Sequence, residues 1–221
     1  MEPVRITTED AVSLEGELRM PDDEPVGSAV LCHPHPRHGG SKDHPILWAV
    51  RNELAHRGFA VVGFNFRGVM GSGGTYGGGR IELRDARAAI GFAVERGGPP
   101  VVVVGWSFGA SVALREALDD DRVGALALIG IPLDASDVDL PPLPAPGELR
   151  ALARLPVLLL AGENDQYCPP DRLRALGAEL SAGEVVVFPG TNHYFWRREK
   201  ELAATVGEFA DRISGRAPGR T

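Results

Sequence analysis

Six short, unbroken apolar runs recur along the chain, and few folds can accommodate them. They occupy residues 29–32, 60–64, 101–104, 125–129, 157–160 and 185–188, and each is dominated by Val, Leu or Ala. A strand with one wet face alternates apolar and polar side chains. A run that is apolar throughout is buried on both faces, as in a parallel sheet covered by helices. The segments between the runs can supply those helices. Ala86, Ala89, Ile90, Ala93 and Val94 fall on one helical stripe, and Leu202, Val206, Phe209 and Ile213 on another. Strand–helix alternation of this kind predicts an α/β fold with a mostly parallel central sheet. Residues 4–20 differ: Val12, Leu14, Gly16 and Leu18 alternate with polar neighbours, which reads as an antiparallel hairpin at the sheet edge.

A chain of 221 residues is long enough for one domain with a sizeable core, and a single domain over 1–221 is expected. Hydrophobic residues at 43% exclude disorder as the general state. A net charge of −7, with no run of Lys or Arg, argues against a nucleic-acid partner. No apolar run is long enough to span a membrane, and residues 1–5 do not open a secretory leader, so a cytoplasmic location is expected. Cys32 and Cys168 lie in or beside apolar stretches and read as reduced, buried thiols. Residues 132–155 carry Pro141, Pro142, Pro144 and Pro146 and form a short insertion, either a surface loop or a small lid. Residues 214–221 read as a frayed tail. The sequence leaves the oligomeric state open.

The chemistry gathers after three of the apolar runs. Gly105-Trp106-Ser107-Phe108-Gly109 directly follows residues 101–104 and precedes a plausible helix. This is the strand–turn–helix context of a nucleophile elbow, where a tight turn demands small residues beside the serine. The bland alternative makes Ser107 a helix cap. A serine hydroxyl needs a base to take its proton and an acid to orient that base. In an elbow enzyme these follow in chain order, acid then histidine. His193, in the loop after residues 185–188, is the one histidine beyond Ser107. Asp165, just past residues 157–160, is the preferred acid because it lies farther beyond the strand end than its competitor Glu163.

With these residues the chain resembles the α/β-hydrolase superfamily, and within it the small bacterial serine hydrolases that carry His-Pro-His-Pro after the third strand. The resemblance runs from Cys32-His33-Pro34-His35-Pro36 and Gly39-Gly40 through Asn65-Phe66-Arg67-Gly68-Val69, Gly71-Ser72 and Glu82-Leu83-Arg84-Asp85 to the Asp165 and His193 segments. It implies an esterase-like enzyme on about eight strands, with a minimal cap or none and without a cofactor. Met70 departs from the pattern, standing where glycine is common. An oxyanion hole in such an enzyme takes one backbone N–H from the residue after the nucleophile, Phe108, and one from the loop after the third strand. Pro34 and Pro36 have no N–H, which leaves His35. The expected substrate is a small-molecule carboxylic ester, with thioester or amide as the runner-up.

Two rival readings belong to other classes. His33, His35 and His38 spell H-x-H-x-x-H, a pattern seen in metallo-β-lactamase-type hydrolases. Against it, Arg37 is a cation where a metal would sit, and Pro34 and Pro36 restrict the ligands' approach, so no metal is expected. The other rival is a non-enzymatic binding module on the same fold, which retention of all three triad residues disfavours. Arg67, Glu82 and Asp85 read as structural ion pairs, and His38, His44 and His56 as solvated residues.

Overall fold

The computed structural model describes residues 1–134, 140, 143–180 and 183–215. Eight strands form one sheet in the order β1-β2-β4-β3-β5-β6-β7-β8. They are β1 (Glu2–Thr7), β2 (Ser13–Arg19), β3 (Gly27–Cys32), β4 (Phe59–Phe64), β5 (Val101–Trp106), β6 (Val123–Ile129), β7 (Val157–Gly162) and β8 (Gly183–Phe188). The first two make the expected edge hairpin, with Val4 opposite Gly16 and Ile6 opposite Leu14, and β2 joins β4 antiparallel. From β4 to β8 every pairing is parallel.

The helices are α1 (Pro45–His56), α2 (Glu82–Gly97), α3 (Phe108–Glu116), the single turn α4 (Pro146–Leu149), α5 (Pro170–Glu179) and α6 (Glu199–Ser214). Successive strand residues point to opposite faces, and the two cores follow that alternation. Val101 and Val103 pack with Ala86, Ala89 and Ile90 of α2 and Val112 of α3. Val102, Val104 and Trp106 pack with Leu47 and Val50 of α1 and Leu202 and Val206 of α6. Both expected helical stripes therefore face the sheet, with Val94 and Ile213 at their half-buried margins. Strands β3, β4, β5 and β7 are buried along their whole length. The sequence reading of 185–188 as buried on both faces needs correction: β8 is largely half-buried, because an edge strand has a neighbour on one side only.

Order in the sheet reverses at β3, since β4 lies on one side of it and β5 on the other. In an open parallel sheet the crevice outside the strands' carboxyl ends at such a point is where ligands bind. The loops after β3 and β5 both open there. Within the 132–155 insertion, Pro132 and Leu140 reach this crevice, while residues 135–139 and 141–142 lie outside the described residues, as does the tail from 216. Both cysteines are buried as thiols, and burial pushes their ionisation far above the usual range. Among the described residues no helix is long and apolar enough to cross a membrane.

Candidate active site

Strand β5 ends at Trp106 and α3 starts at Phe108, so Ser107 alone makes the turn, at φ 55° and ψ −116°. A non-glycine residue there carries a strain of about 1–3 kcal/mol and persists only when its surroundings over-determine it. They do so here. The Ser107 N–H donates to Ile129 O at 2.8 Å, and its carbonyl accepts from the N–H groups of Ala110 and Ser111. The flanking positions leave no room for side chains: a Cβ at 105 would lie 2.4 Å from Gly109 O, and one at 109 would lie 2.1 Å from Cys32 O. The helix-cap reading fails, because the Ser107 side chain makes no capping bond. Its hydroxyl instead lies 3.0 Å from His193 Nε2.

His193 hangs on the loop after β8 and is 5% exposed. Its Nδ1 lies 3.0 and 2.9 Å from the two carboxylate oxygens of Asp165. An ionised carboxylate can only accept, so Nδ1 carries the proton and Nε2 presents its lone pair to the Ser107 hydroxyl. The same carboxylate accepts from the N–H groups of Tyr167 and Cys168, each at 3.0 Å. Asp165 thus both closes the turn after β7 and partners His193. Glu163, the competing acid, is exposed and accepts from Gly190 N–H at 2.8 Å, pinning the loop that leads to His193.

Ser107 and His193 line a cleft of about 110 Å³ with Trp106, Phe108, Tyr194 and residues of the loop after β3. Phe195 does not reach it; that ring is buried against Phe188. His35 lines the cleft beside Phe108, with Nδ1 accepting from Arg37 N–H and Nε2 3.1 Å from the Tyr76 hydroxyl. His33 is buried, with Nδ1 donating to Pro34 O at 2.6 Å and Nε2 accepting from Phe66 N–H at 3.0 Å. Burial holds its pKa down at about 4, so the ring is neutral. Among the described residues no cluster of three or more His, Cys, Asp or Glu is placed to hold a metal. The ring nitrogens of His33 and His35 already serve the loop.

Several expectations change at the margins. Arg67 does pair with Asp85 and Asp10, but among the described residues Glu82 makes no ion pair and instead accepts from the N–H groups of Gly77 and Gly79. His44 is not a solvated residue. It is half-buried against the Trp106 ring at 4.2 Å, lines the cleft, and is held by burial at a pKa of about 4. Met70 has a φ of 48°, which explains why glycine suits that position, and it is exposed outside the cleft. Sequence reasoning missed Tyr167, whose amide holds Asp165 and whose ring stands edge-on to His193 at 5.0 Å. Its only signal was its place two residues past the acid.

Residues 28–215 match the family model of the alpha/beta hydrolase domain, and the chain belongs to that family. An alpha-beta serine hydrolase homologue from Coxiella burnetii is 27% identical, with a TM-score of 0.80 over 94% of this chain and 96% of that one. A structure from Xanthomonas campestris, described as an a/b serine hydrolase without lid, is 26% identical, with a TM-score of 0.79 over 99% of this chain and 96% of that one. An uncharacterized protein of Rickettsia prowazekii is 25% identical over 209 residues, covering 89% of this chain and 83% of its own length.

Proposed function

We propose that this chain is a serine hydrolase that cleaves a carboxylic ester through an acyl-serine intermediate. One observation carries the reading: the unbroken relay from Ser107 Oγ through His193 to Asp165, opening on a cleft. Ser107 Oγ attacks the ester carbonyl while His193 Nε2 takes its proton. The resulting imidazolium is stabilised by Asp165 and returns the proton to the departing alcohol. Water, deprotonated by His193, then attacks the acyl-serine and releases the acid. The N–H groups of Phe108 and His35 serve as donors to the oxyanion in both steps. Their placement supports this role: Phe108 opens α3 beside Ser107, and His35 lies in the loop after the neighbouring strand β3. The serine-hydrolase descriptions of the similar Coxiella and Xanthomonas structures support the same class.

A fluorophosphonate probe should label the intact protein and fail to label Ser107→Ala. The variant should fold normally and lose ester turnover on the order of a million-fold. Retention of more than a few per cent of activity would remove Ser107 from the mechanism.

A further inference from the structure

The walls of the cleft hold more rings than the relay uses. Eight of the fourteen described residues lining it carry an aromatic or imidazole ring, and none of these fourteen is Asp, Glu, Lys or Arg. On one side Tyr167 and Tyr194 stand edge-on to His193 at 5.0 and 5.7 Å. On the other, Phe108 meets the His35 ring edge-on at 5.3 Å. The cleft volume of about 110 Å³ is of the order of an apolar cavity that holds one benzene, roughly 150 Å³. It is too small for a long acyl chain to coil inside.

We propose that the cleft takes an uncharged ester bearing a single planar ring one or two bonds from the reacting group. The proposal deepens the ester-hydrolase reading above and rests on it. A carboxylate or ammonium entering this cleft would lose its water and meet no fixed counter-charge among the described lining residues. A planar ring gains twice, first by burying apolar area and then by matching its edges and faces to those of the wall. A saturated ring of the same carbon count is thicker and offers no π-face, so it gains only the first.

Matched esters test this. Benzyl acetate against cyclohexylmethyl acetate places the ring on the alcohol side. Ethyl phenylacetate against ethyl cyclohexylacetate places it on the acyl side. In each pair a methylene insulates the ring, so intrinsic reactivity is nearly equal and kcat/KM reads recognition. We expect the aromatic member to be favoured about tenfold in at least one pair, the size of one or two good ring contacts. In Tyr194→Leu and Tyr167→Leu that ratio should fall toward unity. Turnover of all four esters with both ratios within about twofold overturns the ring site and leaves the ester reading standing. A preference that survives both tyrosine variants unchanged also overturns the ring site. Turnover of none of the four, by protein that still takes the fluorophosphonate at Ser107, overturns the ester reading and the ring site with it.

Discussion

Gly130 is the position where one added methyl group should separate stability from catalysis. It follows β6 directly at φ 53°, and its N–H donates to Leu160 O. A Cβ there would stand 3.0 Å from His193 Cε1, 3.1 Å from Nδ1 and 3.2 Å from Asp165 Oδ2. Ordinary contact begins near 3.4 Å, so the His–Asp pair must retreat by about 0.2–0.4 Å. A misplacement of ~1 Å costs about a hundredfold in rate, and scaling by distance gives a loss of about three- to sixfold in kcat. The left-handed backbone adds about 1–2 kcal/mol of strain, which lowers Tm by roughly 2–8 °C in a protein of this size. Gly215→Ala is the control. That position closes α6 in the left-handed region, at φ 73° and ψ 13°, with nothing within 4 Å of an added Cβ, so it carries the backbone strain without the crowding. Initial rates and thermal melts on both variants decide the matter. Gly215→Ala should lose stability and keep kcat, while Gly130→Ala should lose both. Wild-type kcat in a Gly130→Ala protein whose Tm falls no further than that of Gly215→Ala would refute the crowding argument.

Four further outcomes are expected. His35→Ala should keep much of its activity, whereas a folded His35→Pro should lose about a hundred- to a thousandfold in kcat, the usual cost of one oxyanion donor; near-normal kcat in the proline variant removes the His35 amide from the mechanism. EDTA should leave turnover unchanged, and loss of activity restored by zinc would revive the His33, His35 and His38 metal reading. Small soluble esters should be hydrolysed faster than emulsified long-chain triglycerides, and the reverse order would contradict a cleft of about 110 Å³. For acid stability, His33 stays neutral in the fold down to about pH 4, while the unfolded chain takes the proton near pH 6.5, so its contribution, about 3 kcal/mol, is present at pH 7 and lost as pH falls through that window; urea unfolding of wild type should show a steeper pH dependence than His33→Asn between pH 5 and 6, and parallel curves would refute this.

The strands and the relay were legible in the sequence because each has a local signature. An unbroken run such as 101–104 has no polar side to show to water, and that alone implies a sheet covered on both faces. Ser107, Asp165 and His193 each lie within a few residues of such a run's end, so placing the strands placed the residues. Contacts made across the crevice have no such signature. Tyr76 reaches His35 from 41 positions away, and His44 reaches the Trp106 ring from the start of α1. Nothing in the sequence around Gly77 or Gly79 says that their amides belong to Glu82. The half-burial of β8 was hidden for a related reason, since a run of valines reads the same whether one neighbouring strand is present or two.

The histidines after β3 show how a motif can mislead through its residue types while its purpose is geometric. His33 fastens the end of β3 to Phe66, just past the end of β4, and its second nitrogen closes on Pro34 O. His35 caps the short turn of Pro36–His38 and meets Tyr76. Both imidazoles thus act as fixed brackets that shape the loop facing Ser107. The relay shows the same division of labour. Asp165 is 3% exposed and satisfies three N–H donors at once, those of Tyr167, Cys168 and His193, so its loss would orphan buried groups and cost stability as well as rate. Ser107 is half-buried and among the described residues its hydroxyl meets His193 alone, while its strained backbone is held by main-chain bonds that alanine keeps. Chemistry and stability therefore part company along the relay. The proposed nucleophile is the group whose side chain the fold can most readily do without, which is why Ser107→Ala should abolish turnover in a protein that melts close to wild type.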